Sequence, residues 1–155
     1  MPNLLRSFAV TLAVAALVAA CQSTPATPSL APAAGPLVSV TVRGGECPEG
    51  ACGGTTVIER DGRVHQTAPR PVEIGRLTAN LLTALDAAVK TSDFDVIRAR
   101  PFTGECPVNF DGQEFIYEFG APGGTERIAT CETDVDPNHP LFVAMNAVLA
   151  AVAAR

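Results

Sequence analysis

The chain has 155 residues, 47% of them hydrophobic and 17% charged, with 13 glycines, 13 prolines, five cysteines and a formal net charge of −5. An acidic balance of this kind argues against nucleic-acid binding and against electrostatic attachment to anionic lipid, both of which need basic patches. The length suits one domain of ordinary size rather than two.

In chain order, Met1 to Arg6 carry one side-chain positive charge, and Phe8 to Ala20 follow as thirteen uncharged residues with Thr11 as the single polar interruption. This is the n-region and h-region pattern of an export signal. The apolar run stops short of the ~20 residues needed to span a bilayer. At its end stand Val18, Ala19, Ala20 and Cys21. That tetrad resembles the lipobox of bacterial lipoproteins, an aliphatic residue and two small ones before the modified cysteine. The resemblance implies a diacylglycerol thioether on Cys21, cleavage before it and acylation of the new amino group. Such chains hold a protein at a membrane surface through about 0.8 kcal/mol per buried CH2. Residues 1–20 are therefore read as a leader outside the fold. Gln22 after the cysteine, in place of an Asp that would resemble an inner-membrane retention signal, favours the outer membrane where the organism has one, and otherwise the outer face of the plasma membrane.

Residues 21–36 form the lipidated cysteine and a tether. The fifteen residues after Cys21 include four prolines and no charge, and Leu30 is their one large apolar side chain. A stretch of this composition cannot bury a core and favours extended polyproline II, reaching about 45 Å at ~3.1 Å per residue. Without the leader the chain keeps ten Arg and Lys against sixteen Asp and Glu, a formal −6.

The remaining 119 residues, 37–155, are read as a single domain. Val38, Val40 and Val42 alternate with Ser39, Thr41 and Arg43, the period-two pattern of a half-buried strand. The stretch Gly44 to Gly54 holds five glycines together with Cys47 and Cys52. It reads as a wide turn, and it lacks both the lysine and the G-x-x-x-x-G-K order of a phosphate loop. Thr55 to Arg60 and Arg63 to Thr67 flank Asp61-Gly62, a strong hairpin signal. The period then changes: Ile74, Leu77, Leu81, Leu85 and Val89 make one apolar stripe, predicting a helix from about Val72 to Lys90 behind Pro71. A second hairpin is expected from Glu114–Phe119 and Arg127–Cys131 around Gly120 to Gly124. A last helix follows Pro140, capped by Asp136 or Asn138 and turning Leu141, Met145, Val148, Leu149 and Val152 inward. The expected fold is α+β, a mainly antiparallel sheet of about five strands in the order β-β-β-α-β-β-α, with both helices on one face.

With Cys21 assigned to lipid, four cysteines remain, and outside the cytoplasm an even set reads as disulfides with three possible connectivities. The spacing favours Cys47–Cys52 and Cys106–Cys131. Neither a zinc nor a redox C-x-x-C spacing is present at Cys47 and Cys52. Asp134-Val135-Asp136-Pro137-Asn138 copies the opening of a calcium loop, but His139 stands where glycine is needed and Met145 where the closing glutamate belongs, so these residues read as a helix cap. No metal and no cofactor is expected.

His65 and His139 are the only histidines, and no serine sits in a nucleophile elbow. His65 is expected on the solvent face of a hairpin arm beside Thr56 or Ile58. Glu114 and Glu118 are expected as solubilising acids on one strand face. The run Phe102-Thr103-Gly104-Glu105-Cys106-Pro107, followed by Asp111-Gly112-Gln113-Glu114, Cys131 and Asp136-Pro137, resembles a family of small bacterial lipoproteins to which no activity is attached. The resulting expectation is a membrane-anchored envelope module that binds a protein or a wall component through an open sheet face or the Gly44–Gly54 loop. Its alternative is an envelope hydrolase assembled from His65, Asp111 and Glu114.

Overall fold

A computed structural model describes residues 35–47 and 50–154, with the side chains of Cys47 and Ala51 outside the described set. The leader, Cys21 and most of the tether lie outside it too. The fold is α+β, built on one six-stranded antiparallel sheet: β1 (Val38–Cys47), β2 (Gly50–Ile58), β3 (Arg63–Ala68), β4 (Val72–Arg76), β5 (Gln113–Ala121) and β6 (Gly124–Ala129), in the spatial order β4-β3-β2-β1-β5-β6. Three helices join it: α1 (Ala79–Thr91), the short α2 (Phe94–Arg98) and α3 (Pro140–Ala153), together with a 3-10 turn at Pro107–Phe110. None of the described helices is long and apolar enough to cross a membrane.

Period-two patterning decides which face is covered. Val38 and Val40 stand opposite Phe119 and Tyr117, and Val38 also opposite Ile58, so one face of the central strands is apolar. Leu85, Ala88 and Val89 of α1 and Leu141, Phe142, Met145 and Val148 of α3 bury against that face. Phe142 rests edge-on against Tyr117 and Phe119, with ring centroids 5.6 and 6.4 Å apart, and Phe94 of α2 meets Phe119 at 5.6 Å. Each such side chain removed from water contributes about 1.5–3 kcal/mol.

Burial pushes the Tyr117 phenol above its ordinary 10.0. The unfolded chain therefore ionises first: the stability held by the neutral phenol is complete below pH 10 and is lost as pH rises through the folded-state value. Tyr117→Phe is expected to lose less stability than the parent between about pH 9 and about pH 11, read from urea midpoints at the two values.

The expected hairpin at Asp61-Gly62 joins β2 and β3, with Gly62 at φ +85°. The second joins β5 and β6, where Ala121 pairs with Gly124 at φ +134°. Three expectations need correction. The sheet has six strands rather than about five, because Val72–Arg76 pairs with β3 as an edge strand instead of opening the helix. Gly75 at φ +140° lies outside helical geometry, and Thr78 supplies the true N-cap, its Oγ1 accepting from Leu81 N at 3.4 Å. The Gly44–Gly54 stretch is no wide turn: its arms continue the β1–β2 ladder to Cys47 and Gly50, with a bulge between Arg43 and Glu46 where Gly44 and Gly45 take positive φ. The last helix is capped by His139, whose Nδ1 accepts from Leu141 N at 3.2 Å, and not by Asp136 or Asn138. Asp136 instead receives the Asn138 N–H at 2.9 Å, one turn too early to cap the helix.

Candidate functional site

All three helices lie on the Tyr117 face, so the opposite face meets none of them among the described residues. Register places Glu73, His65, Val57, Ser39, Glu118 and Arg127 in one row across it. His65 thus stands opposite Val57, not Thr56 or Ile58, because the Asp61-Gly62 turn shifts the pairing. Its Nε2 lies 3.9 Å from Glu59 Oε1, with both side chains about one-quarter exposed. In the next row, the hydroxyls of Thr41 and Thr55 hydrogen-bond at 2.9 Å.

Glu114 departs from expectation most. It lies on this face, like the exposed Glu118, yet is fully buried. The segment after Arg100 closes over it: Pro101 bridges Thr133, Phe102 N donates to Glu132 O at 3.0 Å, and Cys106 is disulfide-bonded to Cys131 as the spacing suggested. The Glu114 Oε2 accepts from Arg43 Nε, while Oε1 has no hydrogen-bond partner. Beside it Arg127 grips Glu132 through two bonds of 2.7 and 3.1 Å. That hydrogen bonding, with the nearby Arg43 charge, holds the Glu132 carboxyl below its ordinary range. The expected Cys47–Cys52 bridge falls on Cys47, whose side chain lies outside the described residues; Cys52 is itself disulfide-bonded.

The residues of the hydrolase alternative do not come together. His65 on β3 and Glu114 on β5 are separated by three strand steps and four residues of register, about 14 Å across and about 13 Å along the sheet. Asp111 is exposed at φ +61°, closing the 3-10 turn in a left-handed conformation. The calcium-like carboxylates face a guanidinium: Arg100 sits 2.7 Å from Asp134 and 3.8 Å from Asp136.

On the helix side, a groove of about 610 Å³ opens between β4 and the C-terminal half of α3. Val72, Ile74, Phe115, Leu149 and Val152 line it, with Gln66 and Glu73 at its polar margin. Val72 is 51% exposed, and β4 is an edge strand of the sheet. An edge strand offers unpaired N–H and C=O groups along its length. Backbone donors and acceptors beside apolar side chains are the chemistry that an extended peptide needs. Sequence reading passed over this groove because it assigned Val72 and Ile74 to a helix. The alternation Val72, Ile74 and Arg76 after Pro71 was the available signal.

The groove extends from Glu73, in the Ser39 row near the start of β1, to Phe115, in the Val42 row. Arg60 pins the start of the domain, donating from Nε to Gly35 O at 3.2 Å and from Nη2 to Gly120 O at 2.7 Å. From there β1 runs ten residues to Cys47, about 30 Å at ~3.3 Å per residue. Phe115 pairs with Val42 towards the far end, and Phe110, 66% exposed, follows on the 3-10 turn. No protein-family model, curated protein or solved structure matches the chain.

Proposed function

We propose that this chain is an exported lipoprotein, acylated on Cys21, whose domain is a non-catalytic envelope module that binds an extended segment of another envelope protein along β4. The observation that carries the binding role is the apolar groove beside an edge strand. An apolar floor flanked by backbone hydrogen-bonding groups suits a polypeptide better than a glycan, which asks for polar side chains and stacking aromatics.

Two measurements test the proposal. Intact mass of the chain from an envelope fraction is expected to begin at Cys21 and carry the lipid, and Cys21→Ser is expected to abolish it. A full-length, leader-bearing mass from the cytosol overturns the anchoring. A photo-crosslinking residue at Val72 in the acylated protein is expected to give one discrete, protease-sensitive adduct, lost in Val152→Glu, while the same residue at the exposed Ala84 gives none. Equal adducts from both positions, none from either, or retention on purified wall sacculi overturns the peptide reading.

A further inference from the structure

Glu114 plays no part in the peptide-binding groove, and its surroundings have a chemistry of their own. The Cys106 and Cys131 sulfurs and a Glu114 carboxylate oxygen all lie within 4.8 Å of one another. The carboxyl is fully buried and one of its oxygens accepts no hydrogen bond, an unusual state for a buried acceptor. We propose that, once the Cys106–Cys131 bridge is reduced, the two thiolates and Glu114 form a three-donor site for a zinc ion, with water in the fourth position.

Geometry, charge and access each support it. Tetrahedral zinc takes sulfur at ~2.3 Å and carboxylate oxygen at ~2.0 Å, which sets its donors about 3.5–3.8 Å apart. The three donors lie within 4.8 Å of one another, and to reach such spacing the two sulfurs need to part by about 2 Å from bonding distance. Cys106 precedes the 3-10 turn and is not part of the sheet, so it can make that movement without disturbing the ladder. Two thiolates and one carboxylate carry three negative charges, and a zinc ion with the Arg43 guanidinium carries three positive ones. The cluster is therefore neutral where Glu114 is buried, which a low-dielectric site requires. The metal also gives the orphaned carboxylate oxygen a partner. Both cysteines are half-buried, so reductant and ion can reach them. The bookkeeping closes: a dithiol donor gives two electrons and two protons to the bridge and becomes a disulfide itself, and zinc then displaces both thiol protons.

The test uses cobalt(II) as a spectroscopic stand-in for zinc on the full mature chain, reduced with a phosphine. One equivalent is expected to produce a thiolate-to-cobalt absorption band that zinc then bleaches. Cys106→Ser is expected to abolish the band, and Glu114→Gln to weaken cobalt binding at least tenfold. Zinc is expected to raise the urea midpoint of the reduced parent more than that of Glu114→Gln at the same zinc concentration, and to refold the reduced chain should it unfold. Binding by the reduced parent no tighter than by the Cys106→Ser/Cys131→Ser pair overturns the site. Glu114→Gln indistinguishable from the parent overturns the role of the carboxylate. Neither result bears on crosslinking at Val72, so the two proposals fail separately.

Discussion

Replacing Phe119 by alanine is expected to destabilise the domain by about 3–5 kcal/mol, the largest loss of any single substitution considered. Phe119 is fully buried and stands where three helix-side contacts meet: Tyr117 stacked at 5.8 Å, Phe142 edge-on at 6.4 Å and Phe94 tilted at 5.6 Å. Deleting the ring removes its transfer free energy and leaves a cavity that the flanking sheet cannot collapse to fill, because Val38 opposite is pinned in the same ladder. A domain of this size has only about 5–15 kcal/mol of stability in total. Equilibrium urea unfolding of the parent and Phe119→Ala checks it. A midpoint shift equivalent to less than about 1 kcal/mol would mean that the three aromatic contacts do not form the centre of the core.

Removing the Cys106–Cys131 bridge with Cys106→Ser/Cys131→Ser is expected to cost about 3 kcal/mol. The bridge closes a loop of sequence separation 25, and its loss releases that loop in the unfolded chain. The double variant is preferred to a single serine, which would leave a free thiol to exchange. The substitution also uncovers Glu114, whose burial depends on the segment after Arg100 staying closed over the sheet. Arg43 keeps its grip on the carboxylate from the exposed side, so the variant is expected to fold with a lowered midpoint rather than fail. Chemical unfolding of the oxidised parent beside the double variant gives the difference directly, and equal midpoints would show that the loop is held by other contacts.

The parts of the fold legible in the residues were those governed by short-range rules. Alternation in Val38–Val42 and Phe115–Phe119, the Asp61-Gly62 turn, and the apolar stripe through Leu81, Leu85 and Val89 each act within a few residues. The error at Val72–Arg76 has the same origin. Ile74 and Leu77 sit at helical spacing, yet Ile74 belongs to the edge strand and Leu77 to the turn before Thr78. Two periodicities overlapped, and the strand won because β3 offered a ladder to pair with. The hairpin ladder through Gly44–Gly54 was hidden for a related reason: glycines that read as loop instead supply the positive φ of a bulge inside paired strands.

The candidate sites were less legible, since they depend on what lies above a strand rather than along it. Glu114 and Glu118 share a face and a residue type, and nothing local distinguishes them. One is buried because the segment from Arg100 through the 3-10 turn at Pro107–Phe110, tied by Cys106 to Cys131, folds back over it, and the other is exposed because that segment stops short. His65 and Glu114 were equally plausible partners by residue type until the sheet order put two strands, β2 and β1, between them. By itself the sequence determined the α+β class, the two hairpins, the C-terminal helix and the partner of Cys106, all set by periodicity, turn chemistry and cysteine spacing. Only the tertiary structure decided the sixth strand, the groove beside it and the burial of Glu114, because each arises where segments distant in the chain meet and compete for the same surface.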